Sequence, residues 1–222
     1  MFSAVGGGIG LAVGAGAVPL TLAVMARPPI HTSTTAPTSA GVKASTAWQR
    51  PAGVIVPIVA CGLTGARIGP GLVLVAFLAL GVGLSAAGLV DARWRLLPKR
   101  VVYPTWAAGL VGMAVAVAVH HHYAPLDRAV AAGGGLFVVF AAVTLIAPKA
   151  IAFGDVRLAG VVGSALGWWG LGTVELGLIV GFVAAAVVSV TLIGLGRLAR
   201  DAPLPLGSWL AFGAGVAIWV IA

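Results

Sequence analysis

Charges, prolines and polar clusters divide the chain into apolar stretches at 4–26, 52–66, 70–90, 101–119, 129–147, 157–173, 176–196 and 203–222. Runs near 20 residues cross the ~30 Å hydrocarbon core of a bilayer as helices, and the alternating pattern of an outer-membrane barrel is absent. The pattern predicts an all-α polytopic membrane protein of about eight transmembrane helices, with residues 1–222 as a single integral membrane domain. The shortest stretch, 52–66, reaches only about 22 Å at 1.5 Å per residue and contains Pro57, so it is the weakest of the eight. Residues 28–50, with Pro28-Pro29 and a run of Ser, Thr, Ala and Gly, read as a flexible linker. The opening Met1-Phe2-Ser3 lacks a basic n-region, so the first stretch reads as a membrane helix and not as a cleaved signal peptide.

Composition agrees and adds exclusions. Of the 222 residues, 60% are hydrophobic and only 8% charged, too few polar groups to coat a water-exposed surface, which excludes a soluble domain and a disordered chain alike. The single Cys61 excludes an intrachain disulfide and a thiolate zinc site and reads as a small buried hydrophobe. A net charge of +8 suits anionic lipid headgroups, and no basic, aromatic-interleaved module for nucleic acid is present. If all eight stretches cross, 11 of the 13 Lys and Arg residues fall on one side and only Arg67 and Arg128 on the other. The positive-inside rule makes the first side cytoplasmic and leaves both termini outside.

With so few charges, chemistry falls to the five acids Asp91, Asp127, Asp155, Glu175 and Asp201. Ionisable groups at membrane depth are costly and count as functional candidates. Asp127, beside Arg128, and Glu175, near a helix start, lie in outer segments and have capping or solvated explanations. Asp201, close to Arg197 and Arg200 and followed by Pro203 and Pro205, reads as a solvated inner loop. Asp91 instead ends the apolar run from Leu72, and Asp155 stands where a short loop enters the helix near Leu158. Each alone could be a cap or an interfacial ion pair. Two acids at one depth, on cytoplasmic helix ends, are a candidate pair of the kind that shares a proton and activates water.

The surrounding residues resemble a known family. Leu89-Val90-Asp91-Ala92-Arg93-Trp94-Arg95-Leu96-Leu97-Pro98 is similar to the first-aspartate motif of type IV prepilin peptidases, in which proline follows the acid by seven residues. Phe153-Gly154-Asp155-Val156-Arg157-Leu158-Ala159-Gly160, continuing to Gly167-Trp168, looks like their GxGD motif. The segment 89–170 carries both. The resemblance implies a membrane aspartic endopeptidase of the bacterial cytoplasmic membrane, acting on prepilin or pseudopilin-like substrates of a type IV pilus or related machine. It would cut at the cytoplasmic face, ahead of the substrate's hydrophobic helix, and would need no metal or organic cofactor. By matching positions Asp91 and Asp155 would be the catalytic dyad, Gly154 would shape the second loop, and Pro98 and Arg157 would support the two motifs.

Three departures from the family pattern stand out. Ala152 replaces the first glycine of GxGD, tolerable only if its φ is negative. Lys99 follows Pro98 where an acid or amide is common. The 28–50 linker occupies the place of the cytoplasmic methyltransferase domain of longer relatives, which implies a peptidase-only short form. Helix-end positions favour Asp155 as the resting carboxylate and Asp91 as the resting acid. Arg157 either holds Asp155 or snorkels to headgroups. The consecutive His120, His121 and His122 read as an interfacial cluster, and Trp168, Trp169 and Trp219 as an aromatic belt. The alternative function is a small transporter or assembly scaffold without enzymatic activity. A transporter would place its charges near the midplane of broken helices, whereas the inner acids here lie at helix ends.

Overall fold

The computed structural model describes residues 4–26, 49–94, 99–147, 151–196 and 206–222. Among them lie eight α-helices and no strand: α1 (Ala4–Ala26), α2 (Gln49–Ile68), α3 (Leu72–Trp94), α4 (Lys99–His120), α5 (Ala124–Ile146), α6 (Phe153–Gly167), α7 (Leu171–Gly194) and α8 (Leu206–Ile221). Each matches one apolar stretch of the sequence. Most of the 28–50 segment, Pro98 and Asp201 lie outside the described residues.

Successive helices pair as four antiparallel hairpins, and in each the close approach is made by glycine, because apolar helices in lipid associate through packing and not through water exclusion. Gly6, Gly10 and Gly14 of α1 form a stripe along α2, where a Cβ at Gly14 would stand 2.6 Å from the Pro57 carbonyl oxygen. In the α5–α6 hairpin a Cβ on Gly163 would stand 2.7 Å from the Ala132 oxygen, and one on Gly167 2.7 Å from the Arg128 oxygen. In the α7–α8 hairpin Gly177 and Gly181 face Gly213 and the Trp209 backbone. The Gly163/Gly167 and Gly177/Gly181 pairs visible in the sequence are therefore both contact surfaces.

Among the described residues six helices are long and apolar enough to cross a membrane; α6 and α8 are the two that are not. At 15 residues α6 reaches about 22 Å, short of a ~30 Å core. It is the innermost helix, packed by α4, α5, α7 and α8, with 12 of its residues buried. Surrounded by protein, it need not match the bilayer's thickness. α2 proves longer than the 52–66 stretch because Gln49, Arg50 and Pro51 extend it. Pro57 lies inside that helix and cannot bond the Gly53 carbonyl. The Thr21 hydroxyl of α1 lies 2.8 Å from the Gly53 oxygen and 2.9 Å from the Val18 oxygen of its own helix, so the carbonyl freed by the proline has a donor within reach.

The two basic residues on the minority side have specific work. Arg67 Nε donates to the Trp219 carbonyl at 3.0 Å at the end of α8, and Arg128 donates to the Trp168 carbonyl at 3.3 Å at the end of α6. Cations at helix C-termini satisfy orphan carbonyls and favour the dipole. The aromatic-belt expectation needs correction for two residues. Trp168 is buried in the core, and Trp169 packs on Phe77 with ring centroids 5.6 Å apart. The turn after α6 folds back between helices, so these indoles face protein.

Candidate active site

Asp91 ends the apolar part of α3, and Asp155 is the third residue of α6. Both are buried, at 4% and 6% exposure, in a chain whose carboxylates are few. Locally, α6 starts because Ala152 is extended, with φ −75° and ψ 145°, and the chain then turns helical. The negative φ is accessible to any residue, so the missing glycine of the second motif leaves no strain at this position. Asp155 reaches back to the Ala152 backbone N–H, the reciprocal half of a capping box.

The first turn of α8 brings the two acids together. Its Gly207 N–H faces the Asp155 carboxylate. The next residue, Ser208, donates its N–H to Asp91 Oδ2 at 3.0 Å, and its Oγ stands 3.2 Å from the same oxygen and 2.9 Å from the Gly88 carbonyl. One helix N-terminus, with its positive dipole end, thus seats both carboxylates. Gly207 and Ser208 were not singled out in the sequence. The legible signal was a Gly-Ser pair just beyond Pro203 and Pro205, where a last helix begins with free N–H groups.

Burial, reinforced by the nearby Asp91 charge, pushes the Asp155 carboxyl up to about 6, against the opposing pull of the Ala152 and Gly207 N–H groups. The dipole and two donors favour the charged form, but loss of water and a second carboxylate outweigh them. Asp91 Oδ2 rests on the Ser208 donors.

Arg157 packs on aromatic rings near the starts of α4 and α6. Its guanidinium carbon lies 4.6 Å from the Phe153 ring centre and 5.6 Å from that of Tyr103, and among the described residues it makes no ion pair with Asp155. Gly154 occupies the first turn of α6, where it precedes Asp155. Lys99 opens α4 with its side chain exposed. His120 ends α4, His121 takes a left-handed φ of 55°, and all three histidines are exposed. No group of three or more metal-ligating side chains occurs among the described residues.

Ser208 also begins an apolar cleft of about 790 Å³ between α2, α3 and α8. From Gly88 and Ser208 the cleft passes Leu84, Leu80 and Phe212 and ends near Arg67 and Trp219 at the opposite ends of the helices.

The fold and this site define an all-helical membrane protein with two buried acids gathered at one end of its helices. The chain belongs to the type IV leader peptidase family, which matches residues 72–220. Neither a curated protein nor a solved structure matches the chain. The family match begins at α3, so α1 and α2 lie outside it, and α2 supplies one wall of the apolar cleft.

Proposed function

We propose that the chain is an aspartic endopeptidase that removes the leader from prepilin or pseudopilin-like proteins at the cytoplasmic membrane face, with Asp91 and Asp155 as its dyad. The observation that carries this reading is the shared seat of the two buried acids on the first turn of α8. The family supports leader peptidase activity, and the pairing supports the aspartic mechanism. The positive-inside asymmetry of the loops supports the cytoplasmic placement.

In this reading Asp91 accepts a proton from water as the water oxygen attacks the scissile carbonyl, while Asp155 gives its proton to the carbonyl oxygen. The resulting diol collapses as the proton on Asp91 passes to the departing amine, and Asp155 is reprotonated from the diol. Water is consumed, one peptide bond is broken, and both acids return to their starting states. Such a pair titrates as a unit, so its apparent constants belong to both residues. The cleft that starts at Ser208 offers an apolar wall to the hydrophobic segment that follows the cut.

Co-expression with a candidate prepilin tests the reading. The substrate is expected to lose a leader-sized mass and to gain a new N-terminus just ahead of its hydrophobic helix. Prepilins left intact by well-expressed, folded protein would count against a peptidase and for the scaffold or transporter alternative. A second expectation concerns pH. Because Asp155 gives up its proton near pH 6, kcat/KM should decline on the alkaline side of about pH 6. A profile level between about pH 5 and 8 would remove Asp155 from the role of acid.

A further inference from the structure

The geometry points to Ser208 as a positioning residue whose hydroxyl turns between two acceptors and so holds Asp91 in place in both of its protonation states. The inference rests on the reading of Asp91 as the base of the dyad. Ser208 Oγ lies 2.9 Å from the Gly88 carbonyl oxygen and 3.2 Å from Asp91 Oδ2. A serine hydroxyl has one proton to give and lone pairs to receive, so it cannot donate to both at once. The two contacts describe two settings of one rotor.

With Asp91 ionised, the hydroxyl donates to Oδ2 alongside the Ser208 N–H, which sits at 3.0 Å. With Asp91 protonated, the hydroxyl swings to the Gly88 carbonyl and presents a lone pair to the new carboxyl proton. Gly88 precedes Asp91 by three residues on α3, one helical turn away, so both acceptors move as one rigid unit. The backbone N–H serves either state without moving. A carboxylate that must take and return a proton in each turnover therefore keeps two partners throughout, with no reorganisation of the backbone. A helix N-terminus alone would hold only the charged form well.

Ser208 also borders the apolar cleft, so a substrate-binding role has to be separated from a positioning role. Full-length protein in detergent, acting on a prepilin that the unmodified chain processes, gives that separation. Ser208→Ala is expected to lower kcat roughly 10- to 100-fold with KM within about 2-fold of the original, the signature of a disturbed reacting group. Ser208→Thr, which retains the hydroxyl, is expected to recover kcat to within about 3-fold. Activities are taken per folded molecule, from the thermal transition of each variant. Should Ser208→Ala not fold, Ser208→Cys, with a weaker donor of similar shape, takes its place and is expected to lower kcat below that of Ser208→Thr, by about 3- to 30-fold relative to the unmodified chain, with KM within about 2-fold. An unchanged kcat, a change confined to KM, or a Thr variant as slow as Ala overturns the inference. An unmodified chain that removes no leader overturns instead the peptidase reading on which it rests.

Discussion

Asp155→Asn abolishes leader removal, by at least ~10³-fold in kcat, and at neutral pH leaves the protein at least as stable as before. The first half follows from the acid's role: removing one member of a unit that acts together costs nearly the whole of its contribution. Asparagine keeps the shape and an acceptor for the Ala152 and Gly207 N–H groups but has no proton to give. The second half follows from linkage. Asp155 releases its proton at about 6 when folded, above the ordinary 3.8, so between those values the folded state binds more protons than the unfolded one. Stability therefore falls as pH rises through that window, and above it the buried charge opposes folding in full. The neutral amide removes the opposition. Thermal unfolding at about pH 5, 6 and 7 should show the unmodified protein declining and Asp155→Asn holding level. Asp91→Asn should be equally inactive. Activity surviving in either variant would mean that these two acids are not the dyad, and a marked loss of stability in Asp155→Asn would mean that its carboxylate serves the fold and not the reaction.

The elements were legible in the sequence because the bilayer imposes a length and a polarity on them. The stretch 4–26 coincides with α1, and the others each fall on one helix with ends shifted by a few residues, except that 157–173 runs past the end of α6 into the start of α7. The two acids were legible for a related reason, since scarcity made each carboxylate conspicuous and topology sorted them. What escaped was whatever depends on contacts across the fold. Ser208 meets Asp91 at a separation of 117 residues, and nothing in the local pattern of Leu206-Gly207-Ser208 says which helix end it will face. The upward shift of Asp155 escaped because it depends on burial at the meeting of α6 with α8 and on the nearby Asp91, which a helix-end argument does not contain. Trp168 and Trp169 were misplaced because a tryptophan at a helix end looks alike whether it meets headgroups or, as here, Phe77 of another helix. The short α6 reads like a membrane span in hydropathy, and only its enclosure by four other helices shows why 15 residues suffice.

Gly213→Leu should inactivate the protein from a distance, with a loss in stability on the order of 3 kcal/mol. Gly213 is where α8 crosses α7: a Cβ there would collide with the Gly177 carbonyl oxygen and stand 2.7 Å from the Gly181 nitrogen and 2.9 Å from its Cα. These are backbone atoms of a helix and cannot turn aside as a side chain could, so α8 itself must move. Five residues earlier on the same rigid helix, Ser208 holds Asp91, and Gly207 faces Asp155. A shift of about 1 Å is enough to spoil hydrogen bonds of 3 Å and the alignment of two acids about a water. The same helix supplies its own control. A Cβ on Gly215 meets nothing within 4 Å, so Gly215→Ala should keep both the thermal transition and the rate of leader removal. If Gly213→Leu proved as stable and active as the unmodified chain, α8 would not be seated on α7 through its glycines. If it lost stability but kept full activity per folded molecule, the first turn of α8 would not be what aligns Asp91 with Asp155.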